Sequence, residues 1–278
     1  MSIEVKNISY KYSNSNENVL ENISFSIHEN EFIGIIGPTG SGKSTLVQNI
    51  TGLFKPCDGE VLYKGENIRD KKFSLRSFRQ EVCMIFQYPE HQLFEETVIK
   101  DISFGPIMKG FVKEKAIEEA KWAAGLVGID KELYEKSPFE LSGGEQRRVA
   151  IAGVIAMRPK ILILDEPTAG LDPRGRREIL KNIKKLHDES NMSIILVSHS
   201  MDDIQELSKR VIVLNNGRII LDDTTENVFK EEKLLRSIGL NVPLNIYIVN
   251  RLKERGFDLN TATSMEELAN NIFKQVSK

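Results

Sequence analysis

The sequence predicts an α/β fold: a parallel sheet with flanking helices, preceded by an antiparallel β layer, interrupted by a helical subdomain and closed by a small C-terminal helical appendage. Three observations predict it. Short apolar runs, Phe32 to Ile36, Val82 to Phe86, Ile161 to Leu164 and Ile194 to Val197, read as strands buried on both faces, the pattern of a parallel sheet. Helical patterns separate these runs, which is the order of α/β architecture. Ahead of them, Ile3 to Tyr12 and Val19 to Ile27 alternate apolar and polar residues around the polar stretch Ser13 to Asn18, as antiparallel strands do.

The remaining elements follow in chain order. Between Tyr88 and Pro159 the texture is helical: Ala116, Ile117, Ala120, Ala123, Ala124 and Val127 repeat at helical spacing, and Gly144 to Met157 forms a second helical stretch. Residues of about 88–158 are therefore read as a helical subdomain within a unit spanning 1–225. From about Glu226 the pattern is helical again. Ser264 and Glu267 have the spacing of a capping box ahead of Met265 to Val276, so 226–278 is read as a C-terminal helical extension.

Bulk properties exclude more than they name. With 278 residues, 40% hydrophobic and 28% charged, the chain is an ordinary globular protein with room for a sizeable core. A net charge of -2 gives no long-range attraction to nucleic acid, and no nucleic-acid partner is expected. Cys57 and Cys83 lack the spacing of a zinc site or redox pair, so both are read as small buried hydrophobes in a reducing compartment. The N-terminal residues lack the apolar region of a signal peptide, and no apolar run is long enough to span a bilayer. Any membrane role is exercised from outside the bilayer.

Three motifs carry chemistry. The first is Gly37-Pro38-Thr39-Gly40-Ser41-Gly42-Lys43-Ser44, continuing to Thr45, which follows a strand run and opens a helical segment, the context of a Walker A phosphate loop. Glycines let backbone N–H groups turn inward around phosphate oxygens, Lys43 neutralises the outer phosphates, and the Ser44 hydroxyl can ligate Mg²⁺. The plain alternative is a glycine-rich turn. The second is Ile161-Leu-Ile-Leu-Asp165-Glu166, an apolar strand ending in two acids where an α/β sheet presents ligands. Asp165 is read as a Mg²⁺ ligand and Glu166 as the group that polarises an attacking water, against the alternative of a strand exiting into solvent. The third is Leu141-Ser142-Gly143-Gly144-Glu145-Gln146, where Ser142 and Glu145 have capping-box spacing. It is an ordinary helix start or, more sharply, a second phosphate site at the positive end of a helix dipole.

With this third motif the sequence resembles the ABC ATPase family, whose signature it matches, in the right order over most of the chain. The resemblance implies a P-loop NTPase fold with a RecA-like parallel sheet core, and an enzyme that binds and hydrolyses ATP with Mg²⁺. Tyr12 matches the aromatic on which adenine stacks, although a core-facing strand tyrosine is the alternative. Gln87 matches the glutamine that touches Mg²⁺ or the water and reports to a membrane partner. His199, after Ile195-Leu-Val-Ser198, matches the histidine that contacts the terminal phosphate. Ala169-Gly170-Leu171-Asp172 matches the loop that crosses between subunits. In the family, Ser142, Gly143, Gly144, Glu145 and Asp172 of one chain would meet the ATP held by another, so that two chains sandwich two nucleotides.

A finer resemblance rests on Gln87-Tyr-Pro-Glu-His-Gln-Leu-Phe-Glu-Glu-Thr-Val98 and Asp101-Ile-Ser-Phe-Gly-Pro106, which look like the energy-coupling factor ATPases, the second of their two paired types. That implies a related ATPase as dimer partner, a transmembrane coupling subunit received by the 87–106 region, and indirectly a substrate-capturing membrane subunit for a vitamin or transition-metal ion. It implies a peripheral location on the cytoplasmic face of the membrane. The segment Leu234 to Lys278 also resembles the appendage that helps these ATPases pair. Another ABC importer ATPase, including a homodimeric cobalt or biotin system, uses the same chemistry; an ABC-fold protein acting on DNA or ribosomes is the more distant alternative.

Overall fold

The computed structural model describes residues 2–257 and 265–276. The chain begins with β1 (Ile3–Tyr10), β2 (Leu20–Ile27) and β3 (Phe32–Ile36), then α1 (Lys43–Ile50), β4 (Asp58–Tyr63), β5 (Glu66–Asn67), α2 (Leu75–Glu81) and β6 (Val82–Ile85). Three helices follow, α3 (Val98–Lys109), α4 (Lys113–Leu126) and α5 (Gly143–Ile155). The chain returns to sheet with β7 (Ile161–Asp165), α6 (Pro173–Glu189), β8 (Ser193–Val197), α7 (Met201–Leu207), β9 (Arg210–Asn215) and β10 (Arg218–Thr224). From Thr225 it is helical again: α8 (Thr225–Lys230), α9 (Glu232–Ser237), α10 (Leu244–Glu254) and α11 (Met265–Val276).

The α/β expectation holds. The main sheet has the order β10-β9-β3-β8-β7-β6, with every pairing parallel except the β9–β10 hairpin. Its strands are apolar on both sides because each side meets a different core. Phe32, Ile36, Leu162, Leu164, Ile194 and Leu196 face the core built with α3 to α6. Their neighbours Ile33, Ile35, Ile161, Ile163, Ile195 and Val197 face the core shared with α1 and the antiparallel sheet. The period of two along each strand thus sorts the residues between two cores.

The antiparallel layer is larger than the sequence indicates. Its order is β2-β1-β4-β5, so β1 is central, pairing with β2 on one side and β4 on the other. The hairpin of β9 and β10 was also not foreseen, although Asn216 and Gly217, both at positive φ, mark its turn. β9 lies beside β3, with Ile33 to Ile36 paired in register against Arg210 to Val213.

Two expectations need amendment. Cys83 is buried as expected, and burial pushes its thiol up to about 11, but Cys57 is exposed. Cys57 sits in the short surface connection into β4, where its N–H donates to the Ser9 carbonyl and its side chain has no core to enter. The Ser264–Glu267 capping box lies outside the described residues, because Ser264 is not among them. α11 itself packs on α10 through Leu268 and Val249.

Candidate active site

Four adjacent strands deliver the site. In the run β3-β8-β7-β6 all strands are parallel, so their carboxyl ends form one edge. At about 4.8 Å per strand, those ends lie within roughly 15 Å of one another. β3 ends in the Gly37–Ser44 loop, β8 runs on to His199, β7 ends at Asp165 with Glu166 next, and β6 runs on to Gln87. The edge is the ligand-binding crevice of an open α/β sheet.

The loop is curled by its own lysine. Lys43 Nζ donates to the carbonyls of Gly37 at 2.8 Å and Pro38 at 3.0 Å. Gly37 is required because an added Cβ would lie 2.2 Å from the Leu214 carbonyl on β9, and Gly42 because its φ is 101° at the mouth of α1. Ser41 N–H donates to the Pro38 carbonyl at 3.1 Å, while its buried hydroxyl has no partner. Burial lowers the Lys43 pKa, opposed by the nearby charges of Glu166 and Asp165.

The acid pair is divided by environment. Asp165 is buried, and burial raises its pKa against the lowering hydrogen bond from Ser44. Glu166 stands one residue further, half-buried, with φ of 51°, a left-handed conformation that carries a steric cost for a residue with a Cβ. His199 Nε2 lies 2.7 Å from its Oε1, and Gln87 Nε2 donates to its Oε2 at 3.3 Å. The carboxylate is therefore held at both oxygens by the ends of the two neighbouring strands.

Thr39, Gly40, Gly42, Lys43, Ser44 and Thr45 line one pocket of about 540 Å³ together with Tyr12, Gln87, Glu166 and His199. Tyr12 is exposed, donates or accepts a hydrogen bond with Thr45 Oγ1 at 2.9 Å, and meets Tyr10 and Phe54 edge-on. It is thus a rim residue and not a core tyrosine.

Ser142, Gly143, Gly144, Glu145 and Asp172 are not in that lining. Ser142 and Glu145 form a reciprocal capping box at the start of α5, and the Ser142 hydrogen bonds hold the Glu145 carboxyl below its ordinary range. Asp172 caps α6, accepting from the N–H groups of Arg174 at 2.9 Å and Gly175 at 3.0 Å. Within one chain Ser142, Glu145 and Asp172 satisfy helix ends, while Gly143 is exposed and Gly144 half-buried.

The donor set fits Mg²⁺. Ser44 and Gln87 line the pocket, and Asp165, outside the lining, is hydrogen-bonded to Ser44. The hydroxyl, the carboxylate and the amide are hard oxygen groups, and a single carboxylate suits an ion that keeps waters and substrate phosphates as its other ligands. Among the described residues no cluster of three acidic, histidine or cysteine side chains forms an all-protein metal cage.

Comparison with known proteins places the chain in a family. The family model described as ABC transporter matches residues 20–169. The energy-coupling factor transporter ATP-binding protein EcfA2 of Caldanaerobacter subterraneus subsp. tengcongensis is 53% identical over 259 residues, covering 92% of this chain and 91% of that protein. The chain belongs to the energy-coupling factor ATP-binding proteins of the ABC transporter family. The structure of cbiO1 from Clostridium perfringens, part of the ABC transporter complex cbiONQ, superposes with a TM-score of 0.75 at 35% identity, covering 91% of this chain and 98% of that one. A dimeric ATP-binding cassette in a post-hydrolysis state with ADP and Pi matches with a TM-score of 0.72 at 29% identity, over 80% of this chain and 98% of that one.

As an ABC transporter ATPase of this type, the chain binds ATP and hydrolyses it. One buried residue of its site was not singled out in the sequence: Arg147, on the first turns of α5. No local signal separates it from the adjacent Arg148, because its acceptors at Gln87 and Pro167 are remote in the chain.

Proposed function

We propose that the chain is one half of an ATPase pair, binding Mg·ATP in its own pocket and completing the site of a related partner ATPase with Ser142, Gly143, Gly144, Glu145 and Asp172. The observation that carries this reading is the division of the motifs: the phosphate loop, Gln87, Glu166 and His199 share a pocket, while the signature glycines and Asp172 stand outside it. The start of a helix, where the first backbone N–H groups have no intrahelical partner, is suited to a phosphate delivered by another chain.

In this reading the loop amides and Lys43 bind the triphosphate, and Tyr12 stacks on adenine. Asp165, Ser44 and Gln87 hold Mg²⁺, which when bound neutralises charge on the phosphate oxygens. Glu166 polarises water, and His199 contacts the terminal phosphate and fixes that carboxylate. Catalysis is positioning and electrostatics for in-line phosphoryl transfer to water.

Residues 1–225 then form the nucleotide-binding unit with 88–158 as its helical subdomain, and 226–278 serve as a pairing element. The extension is tied to the site by the Leu244 N–H, which donates to Asp202 Oδ1 at 2.9 Å, three residues beyond His199. A transmembrane coupling subunit docks on the 87–106 region, and the exposed side chains of Tyr88, Phe94 and Phe104 support this. A membrane subunit that captures the solute is reached indirectly through it. Among the described residues no helix is long and apolar enough to cross a membrane, in keeping with peripheral attachment at the cytoplasmic face. Purifying the tagged full chain from its native membranes tests the proposal. A second, different ATPase and a transmembrane subunit are expected with it; recovery of the chain alone, or only with copies of itself, overturns the pairing.

A further inference from the structure

The guanidinium of Arg147 is almost wholly buried and gathers four backbone carbonyls. Nε donates to Pro167 at 2.7 Å, Nη1 to Ala169 at 2.5 Å, and Nη2 to both Gln87 at 2.6 Å and Glu166 at 3.0 Å. One carboxylate, Glu90, stands 3.8 Å from Nη1, and its second oxygen is buried without a partner. A planar fork with five N–H donors is the side chain able to reach so many acceptors at fixed angles.

Two of these acceptors matter for the chemistry. Gln87 and Glu166 touch each other through their side chains at 3.3 Å, and a single atom, Arg147 Nη2, also binds the carbonyls of both. Glu166 needs such a restraint because its left-handed φ of 51° is disfavoured and persists only where the surroundings over-determine it. Its N–H donates to Val197 and its carbonyl also accepts from Ala169 N–H, so Arg147 supplies the one side-chain hold on this turn that comes from α5.

We infer that Arg147 is the positioning residue of the hydrolytic site, fixing the backbones of Gln87 and Glu166 from the signature helix so that the Glu166 carboxylate is aimed at the attacking water. The inference rests on the reading of Glu166 given above. A displacement of about 1 Å in a reacting group costs roughly 10²-fold in rate, so losing part of this grip acts on turnover and leaves nucleotide binding to the phosphate loop.

The test uses the full chain in the complex purified from membranes. Arg147→Lys keeps the charge and loses the fork; Arg147→Gln loses both. With folding followed by circular dichroism, Arg147→Lys is expected to lower kcat at least roughly 10-fold with the KM and equilibrium affinity for ATP within about threefold. Combined with Glu166→Gln, it is expected to add less than about threefold to the loss, because both act through one carboxylate. An unchanged kcat in both Arg147 variants overturns the inference. So does a loss that tracks unfolding or weakened ATP binding, or one that multiplies fully with Glu166→Gln. Glu166→Gln turning over at the wild-type rate instead removes Glu166 from its role, a result distinct from an unchanged Arg147→Lys beside a silenced Glu166→Gln.

Discussion

His199 Nε2 and Glu166 Oε1 stand 2.7 Å apart, joining the ends of two strands that are neighbours in the sheet. The contact follows from topology: β8 lies between β3 and β7, so a residue just past its carboxyl end sits between the phosphate loop and the acid pair. With Gln87 on the other carboxylate oxygen, Glu166 has little freedom to rotate. A carboxylate held this way is placed to polarise a water only while its charge is kept. Glu166→Gln should therefore cut turnover by roughly 10²- to 10⁴-fold, the range for loss of a general base. ATP should still bind, which equilibrium titration with a fluorescent nucleotide checks; unchanged turnover removes Glu166 from the role.

Lys43 makes a different prediction. Its ammonium rests on the Gly37 and Pro38 carbonyls, and it is buried beside Asp165 and Glu166. Lys43→Ala removes both the cation for the phosphates and the brace that curls the loop. Nucleotide affinity itself should fall, by more than about tenfold for a charge-assisted contact of about 1.5–3 kcal/mol. Calorimetric titration measures it, and retained affinity counts against the phosphate-loop assignment.

What could be read from the sequence was whatever local chemistry demanded. The runs Phe32 to Ile36, Ile161 to Leu164 and Ile194 to Val197 were legible because strand residues buried on both faces are apolar in succession. The phosphate loop was legible because its glycines answer steric needs that a motif records, as Gly37 does against Leu214. The β9–β10 hairpin was not, since Val211 to Leu214 is a short apolar run beside a helix and its pairing with β3 is set by distant contacts. Arg147 escaped for the same reason: its acceptors at Gln87 and Pro167 are remote in sequence, and an arginine on a helix usually reads as a solvated face. Cys57 shows the converse error, a residue type that is usually buried but was carried to the surface by a short connection.

Glu81 offers a pH test of the fold away from the site. It closes the core of β4 and α2 by accepting hydrogen bonds from Tyr63 at 2.5 Å and Lys64 at 2.9 Å, with Lys160 at 2.6 Å on its other oxygen. Burial alone would raise its pKa, but the bonds from Lys160, Tyr63 and Lys64 outweigh it and hold the carboxyl down at about 2, against an ordinary 4.5. An acid depressed on folding stabilises the folded state above its unfolded pKa and loses that contribution as pH falls toward its folded pKa. The window runs from about 4.5 down to about 2. Glu81→Gln removes this titration, so its melting temperature should lie below wild type at pH 6 and the gap should narrow steadily as pH falls through the window. Because the side chain is partly exposed, added salt should shrink the gap as well. Thermal melts of both proteins across that range, at low and high salt, decide it; a gap that stays constant with pH means that the carboxylate charge contributes nothing there.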